Sequence, residues 1–115
     1  LLLDIDLFKP INDQHGHLCG DYVLRELSGR LKPAVRREDL FARYGGEEFC
    51  MVLVETELRP AVEVAERVRA TVAAKPFAFE ANEIPVTVSV GVAATDGGRD
   101  LSPHDLLKLA DDHLY

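Results

Sequence analysis

Hydrophobic residues follow two different periods along the chain, and each period predicts a different element. Alternate positions from Val86 to Val92 are valines, the period of two expected of a strand with one buried face. From Val23 to Val35, apolar side chains recur every three or four positions, which predicts a helix that starts at Asp21. The chain therefore combines strands with amphipathic helices.

The remaining apolar runs complete an alternating order of elements. An apolar run at Leu1–Ile5 predicts a buried strand, and a short helix is expected from about Leu7 to Gln14. Glycine interrupts His15–Gly20, which is therefore predicted to be a loop. Shorter features are a strand at Phe77–Phe79, a turn at Ala81–Glu83 and a loop at Asp96–Gly98.

Two more helices are predicted in the second half. One starts between Thr56 and Pro60 and stops at Lys75-Pro76. The other starts with Ser102 as its N-cap and Pro103 in its first position. The side chains expected to be buried are Val62, Ala65, Val68 and Val72 in the first helix, and Leu106, Leu107, Ala110 and Leu114 in the second.

A glycine pair flanked by apolar runs predicts a hairpin. Phe41–Tyr44 and Phe49–Val54 are the expected strands, and Gly45-Gly46 predicts a two-residue turn with positive φ. Interleaved helices and a hairpin indicate an α+β fold, with helices packed on a mostly antiparallel sheet.

Length and charge limit the classes of function. The 115 residues suit one domain, and a hydrophobic fraction of 47% is enough for a core. A net charge of −7 argues against a nucleic-acid groove binder, which needs a basic surface. Cys19 and Cys50 lack a C-x-x-C pattern and indicate free thiols in a reducing compartment such as the cytoplasm, with pairing of the two as the alternative. No apolar run approaches a membrane span, so no membrane contact is expected of this domain.

The chain starts inside a strand without methionine and ends inside a helix, which suggests a fragment of a longer polypeptide.

Carboxylates follow the first strand and occupy the hairpin tip. If the two strands are neighbours, Asp4 and Glu47 can meet, and carboxylates with a main-chain carbonyl suit Mg²⁺. The alternatives are that Asp6 caps the following helix and that Glu47 and Glu48 are solvated turn charges.

Polar residues near the helix starts suit a nucleotide. Backbone N–H groups at Phe8 and Lys9 can bind phosphate, although a core phenylalanine and a surface lysine explain the pair equally well. Asn12 and Asp21 can hydrogen-bond a guanine edge, although their local sequence favours helix caps. Arg36-Arg37-Glu38-Asp39, judged alone, predicts a solvated loop.

Five blocks taken together resemble the GGDEF family, the diguanylate cyclases. The resemblance implies a five-stranded, mostly antiparallel sheet wrapped by helices, like the polymerase palm and the class III nucleotidyl cyclases, with residues 1–115 forming a single GGDEF domain. The family's segments upstream of Leu1 and after Tyr115 are not in this sequence. The blocks are Leu3–Asp13, Gly16–Leu24, Arg43–Phe49, Val86–Ala93 and Ala110–Tyr115.

The resemblance also implies an activity and its site. Two GTP would condense into cyclic di-GMP with release of two pyrophosphates, in a homodimer that brings two half-sites together. Catalytic residues would be Asp4, Lys9, Glu47 and Glu48, with Mg²⁺ or Mn²⁺ held by Asp4, the Ile5 carbonyl and Glu47. GTP would contact Phe8, Asn12, Asp21, Leu24, Gly45 and Gly46.

A second site is implied by the same resemblance. Arg36 and Asp39 match the family's product-inhibition motif, and Arg67 matches an arginine that joins it from the next helix. The solvated-loop interpretation is then replaced by a site for the product. The alternative function is a non-catalytic module, either a cyclic di-GMP receptor or a GTP-sensing regulatory domain.

Overall fold

The structure is a computed structural model that describes residues 1–95 and 102–113. No helix in these ranges is long and apolar enough to cross a membrane. The described elements are β1 (Leu2–Ile5), α1 (Phe8–His15), α2 (His17–Leu31), a 3₁₀ helix (Lys32–Ala34), β2 (Leu40–Arg43), β3 (Glu48–Val52), α3 (Leu58–Ala73), β4 (Phe77–Phe79), β5 (Asn82–Ile84), β6 (Val88–Gly91) and α4 (Pro103–Asp112).

The main sheet has the order β2-β3-β1-β6, and each of its strand pairs is antiparallel. With α2 between β1 and β2, and α3 between β3 and β6, this is a ferredoxin-like arrangement. The predicted α+β class and antiparallel sheet are confirmed. The expected number of five strands is wrong for the described residues, which form a four-stranded sheet. Strands β4 and β5 do not join it, because they pair with each other as a separate hairpin.

Different helices cover the two faces of the sheet, because side chains alternate between the faces along each strand. Leu3 and Ile5 on β1 belong to the main core, which includes apolar side chains from α1, α2 and α3. Leu2 points the other way and is buried with Ala110 of α4. Helix α4 therefore covers the face opposite to the other helices.

The predicted loop at His15–Gly20 is wrong, because α2 begins at His17. A single residue, Gly16, separates α1 from α2, with the positive φ of 90° that glycine adopts easily. Cys19 is fully buried in the first turn of α2. Its burial supplies the packing that lets the helix start earlier than the glycines suggest.

The predicted buried face of α3 is confirmed at Ala65, Val68 and Val72 and is wrong only at its first position, Val62. Ala61, Ala65, Val68 and Val72 are buried, whereas Val62 is 48% exposed. One residue corresponds to a rotation of about 100° around a helix, so burial of Ala61 turns Val62 toward solvent.

Other element boundaries differ in smaller ways. Val35 lies beyond α2 in an extended conformation, and β5 already starts within the predicted turn at Ala81–Glu83. Ser102 caps α4 as predicted: its hydroxyl accepts from the Asp105 N–H, and the Asp105 carboxylate accepts from the Ser102 N–H. The predicted loop at 96–98 and the predicted burial of Leu114 lie outside the described residues.

Arg30 joins α2 to the end of α3. Its guanidinium donates to the carbonyl oxygens of Val72, Lys75 and Pro76 at 3.2, 2.6 and 3.0 Å. It also lies 3.8 Å from the centre of the Phe77 ring. The last carbonyls of a helix lack partners within the helix, so Arg30 caps α3 and positions the start of β4.

We expect Arg30→Met to lower the free energy of unfolding by about 1–2 kcal/mol, because the part-buried carbonyl of Val72 and the exposed carbonyls of Lys75 and Pro76 lose a charged donor. Urea denaturation followed by circular dichroism measures this. Arg69→Met is the matched control, because Arg69 is exposed on α3 and pairs only with the neighbouring Glu66 among the described contacts. Equal effects of the two variants would contradict the capping role.

Candidate functional site

Strand pairing brings acidic residues together at one end of the sheet. Asp4 on β1 lies opposite Glu48 on β3 and opposite Ser89 on β6. Residues directly opposite each other share a face of the sheet, so the three side chains form a row across it. The Ile5 N–H donates to the Glu47 carbonyl at 3.2 Å, which fixes the residue before Glu48 against β1.

A cavity of about 320 Å³ opens at this end of the sheet, between the end of β1 and the start of α1. Five of the predicted site residues line it: Asp4, Ile5, Phe8, Lys9 and Glu47. Their roles in binding and catalysis remain predictions. The carboxylates of Asp4 and Glu47 therefore lie beside the first turn of α1, whose backbone N–H groups have no side-chain cap.

The Asp4 carboxyl group is in an unfavourable environment. Its Oδ1 atom is buried, and it is the one such side-chain atom in the described residues without a hydrogen-bond partner. Burial and nearby negative charges raise the pKa of Asp4 from 3.8 to about 6; the charges are those of Glu47, Glu48, Asp6 and Asp111. A cation would remove both penalties, because it would supply a partner for the oxygen and would neutralise the charges.

The donor set fits a hard cation such as Mg²⁺. No three His, Cys, Asp or Glu side chains in residues 1–95 and 102–113 are arranged to hold a metal on their own. A site of two carboxylates, Asp4 and Glu47, with the Ile5 carbonyl agrees with this, because Mg²⁺ usually keeps several waters and uses substrate phosphates as ligands. The unpartnered Asp4 oxygen is the observation that supports a cation here.

Asp6 does not cap α1, so that interpretation is wrong. The N-cap of α1 is Leu7, and it has no side-chain capping bond. The Asp6 carboxylate instead accepts hydrogen bonds from the hydroxyls of Thr87 at 2.8 Å and Ser89 at 2.6 Å. Sequence analysis missed Thr87, Ser89 and the acid Asp111 because their proximity to the first strand depends on the fold.

The proposed guanine contacts lie at the junction of α1 and α2. Neither Asn12 nor Asp21 caps a helix, because each is the fifth residue of its helix. The Asn12 side chain lies against Gly20, where an added Cβ would come within 1.9 Å of Asn12 Oδ1. Asp21, the next residue, is exposed.

Leu24 follows Asp21 by about one turn of α2 but lines a different groove. It is buried and lines a separate groove of about 630 Å³ between α2 and β2. The structure therefore does not place Asn12, Asp21 and Leu24 in one cavity with the carboxylates.

The turn between β2 and β3 is wider than predicted. It runs over residues 44–47, and both the Tyr44 and Gly45 N–H groups donate to the Glu48 carbonyl. Neither Gly45 nor Gly46 has a positive φ, so the conformational reason given for them is wrong. An added Cβ would meet nothing within 4 Å at Gly46 and only Glu48 Cβ, at 3.8 Å, at Gly45. Nothing within the described chain requires glycine at these positions.

The arginine motif forms an ordered cluster of hydrogen bonds. The Arg36 guanidinium donates two hydrogen bonds to the Asp39 carboxylate, at 2.9 and 3.2 Å, and others to the Val54 carbonyl and the Thr56 hydroxyl. Only 1% of the Asp39 side chain is exposed, so the interpretation as a solvated charge is wrong for Asp39, whereas Arg36, Arg37 and Glu38 are exposed. The Arg36 hydrogen bonds lower the pKa of Asp39 and keep it ionised.

Arg67 on α3 lines the same cavity as Arg36 and Asp39, which has a volume of about 470 Å³. The structure thus brings together all three predicted residues of the inhibitory site. Binding of a product there remains a prediction.

Comparison with known proteins gives consistent matches. The family model described as "Diguanylate cyclase, GGDEF domain" matches residues 1–115. The response regulator PleD of Caulobacter vibrioides is 50% identical over 100% of this chain, and the diguanylate cyclase DgcP of Pseudomonas aeruginosa is 42% identical over 99%. The chain covers only 26% and 17% of these two relatives.

A solved structure shows the same fold. The GGDEF domain of DgcB from Caulobacter crescentus, in complex with c-di-GMP, superposes with a TM-score of 0.87 at 31% identity. The alignment covers 99% of this chain and 65% of that one.

We expect Asp4→Asn to stabilise the protein increasingly as the pH rises from 4 to 6 in the absence of divalent cations. The folded-state pKa of Asp4, about 6, exceeds the value of 3.8 for an unperturbed carboxyl group. Between these values the folded state binds more protons than the unfolded state, so ionisation of Asp4 destabilises the wild type as the pH rises.

Urea unfolding of both proteins at pH 4, 5, 6 and 7 measures this difference. Added Mg²⁺ at pH 7 should stabilise the wild type and leave Asp4→Asn unchanged. A difference between the proteins that does not vary with pH would contradict the shifted pKa of Asp4.

Proposed function

The chain belongs to the GGDEF family of diguanylate cyclase domains, and from this premise we propose that it is the catalytic domain of a diguanylate cyclase. The reaction joins two GTP molecules into cyclic di-GMP. In each of two steps the 3′-hydroxyl of one nucleotide attacks the α-phosphorus of the other, and pyrophosphate leaves. The proposed location is the cytoplasm, which holds GTP and suits the free thiols of Cys19 and Cys50.

The observation that carries this proposal is the buried, unpartnered oxygen of Asp4 beside other acids. Asp4, the Ile5 carbonyl and Glu47 would hold Mg²⁺ or Mn²⁺, with Glu48 next to them. Such an ion lowers the pKa of the attacking hydroxyl and neutralises charge that develops on the phosphate. The protein contributes mainly by positioning, because little other acid–base chemistry is needed.

The nucleotide would lie across the start of α1. Phosphate oxygens would accept from the N–H groups of Phe8 and Lys9, and the Lys9 ammonium would add a charge that favours the transition state. Guanine would lie toward the α1–α2 junction, where Asn12 and Asp21 can bond its edge. Further contacts are proposed for Leu24, with the base, and for Gly45 and Gly46, whose missing side chains leave room for the nucleotide.

Two copies of the domain would be needed for turnover. Each copy has one candidate nucleotide site, whereas the product contains two equivalent nucleotides related by a two-fold axis. We therefore propose a homodimer in which two sites face each other and each GTP attacks the other.

Product would also bind at Arg36, Asp39 and Arg67 and inhibit the enzyme. Arginine guanidinium groups suit both phosphate and the guanine edge. This cavity shares none of its lining residues with the cavity at Asp4. Inhibition would therefore act by holding two domains apart rather than by blocking the substrate site. A separate product cavity also fits the alternative function, a receptor that binds cyclic di-GMP without turnover.

We expect Glu47→Gln to reduce synthesis of cyclic di-GMP at least about 100-fold while the fold is retained, because a charged ligand is lost from the metal site. The assay is chromatography of nucleotides after incubation of the dimeric full-length protein with GTP and Mg²⁺, with bound product removed first. Glu83→Gln on β5, where Glu83 is exposed, is the control and should retain activity. A wild-type protein that binds cyclic di-GMP but makes none would support the receptor instead.

We expect Arg67→Ala to raise the product concentration needed for half-inhibition about tenfold or more, with little change in initial turnover. Arg67 is a cleaner test than Arg36, because the Arg36 side chain also holds the chain segment after β3. Inhibition curves with added cyclic di-GMP give the result. Arg69→Ala, two residues further along α3, should leave inhibition unchanged, and an unchanged curve for Arg67→Ala would reject the inhibitory site.

A further inference from the structure

The turn between β1 and α1 contains a strained residue at the edge of the candidate site. Leu7 has φ 55° and ψ 34°, the left-handed conformation that a leucine rarely adopts. It is also 76% exposed, so packing of its side chain does not explain its conformation. Such strain persists only where the surrounding structure imposes it, and it is common at functional sites.

The neighbouring residue shows what imposes this conformation. Asp6 uses both carboxylate oxygens: Oδ2 accepts from the Thr87 hydroxyl and Oδ1 from the Ser89 hydroxyl. The Asp6 N–H also donates to the Thr87 carbonyl at 3.0 Å. Asp6 is thus tied to β6 through its backbone and through its side chain.

The other side of Leu7 is fixed as well. The Leu7 carbonyl accepts the first helical hydrogen bond of α1, from the N–H of Ile11, whose side chain is buried. The chain therefore has to pass from a fixed strand end to a fixed helix start within one residue. A left-handed Leu7 makes this connection.

This turn determines where the first N–H groups of α1 lie. Asp6, Leu7, Phe8 and Lys9 all line the cavity at Asp4. Pro10 is the third residue of the helix and has no N–H, so Phe8 and Lys9 supply the amide groups of the first turn. A small change in the Leu7 backbone would redirect both of them.

Asp4 and Asp6 consequently have different roles, although they are two residues apart in one strand end. The Asp4 oxygen lacks a partner and is available to a cation, whereas both Asp6 oxygens are occupied by hydroxyl donors.

We propose that Asp6, with Thr87 and Ser89, is a positioning residue that holds Leu7 in the left-handed conformation, so that the amide groups of Phe8 and Lys9 are oriented for the nucleotide phosphates before GTP binds. This inference rests on the proposed function, because it assigns the orientation of a phosphate site within the same cavity. Amide groups that are already oriented before GTP binds increase its affinity, because less conformational freedom is lost on binding.

The test removes the two hydroxyls and then relieves the strain. In the full-length protein, Thr87→Val combined with Ser89→Ala should weaken binding of a non-hydrolysable GTP analogue about tenfold and should raise KM for GTP more than it lowers kcat. Adding Leu7→Gly to that variant should restore most of the affinity, because glycine adopts a positive φ without being held there. Calorimetry gives the affinity, and steady-state kinetics give KM and kcat.

Ser28→Ala is the control, because it removes a hydroxyl that bonds within α2, to the Leu24 carbonyl. It should leave affinity unchanged. Unchanged affinity in the Thr87→Val/Ser89→Ala variant would overturn the proposal, and so would a loss of affinity that Leu7→Gly does not restore. Either result leaves the proposed function intact if the wild type binds GTP and forms cyclic di-GMP. A wild type that does not bind GTP would overturn both.

Discussion

Strand β1 is paired along both edges, and the arrangement of the candidate site depends on this pairing. Its antiparallel partners β3 and β6 place Glu48 and Ser89 opposite Asp4. Because the register also alternates side chains between two faces, Leu3 and Ile5 secure the strand in the core while Asp4 stays at the edge of the cavity. A shift of one residue would turn Asp4 toward the main core and turn Leu3 and Ile5 away from it. Stability of the core and geometry of the site are thus set by the same register.

Strand β3 connects the two candidate sites. Glu48 is its first residue, and Val54, which contacts both Arg36 and Asp39, lies two residues beyond its end. The five residues of β3 span about 16 Å between Glu47, which lines the acidic cavity, and Leu53, which lines the arginine cavity.

Local signals allowed several features to be predicted from the sequence. The capping box at Ser102 and Asp105 depends on residues three apart, and the buried face of α2 depends on one period of apolar residues.

Predictions failed where a distant contact decides the structure. Asp6 looks like a helix cap in the sequence, but its partners Thr87 and Ser89 are more than 80 residues away. Similarly, burial of Cys19 and the close approach of Gly20 to Asn12 extend α2 over residues that look like a loop. The site residues were grouped by a family resemblance, and the pairing of β1 then placed five of them around one cavity.

The central claim is that Asp4 is held ready for a cation by an environment that is unfavourable to its charge. The most direct measurement is an NMR titration of the Asp4 carboxyl carbon, with and without Mg²⁺. We expect a pKa of about 6 for Asp4 without the ion. With saturating Mg²⁺ we expect a pKa below that of an ordinary aspartate, because the bound ion favours the charged form. A pKa that is ordinary without the ion, or that does not respond to Mg²⁺, would contradict the central claim.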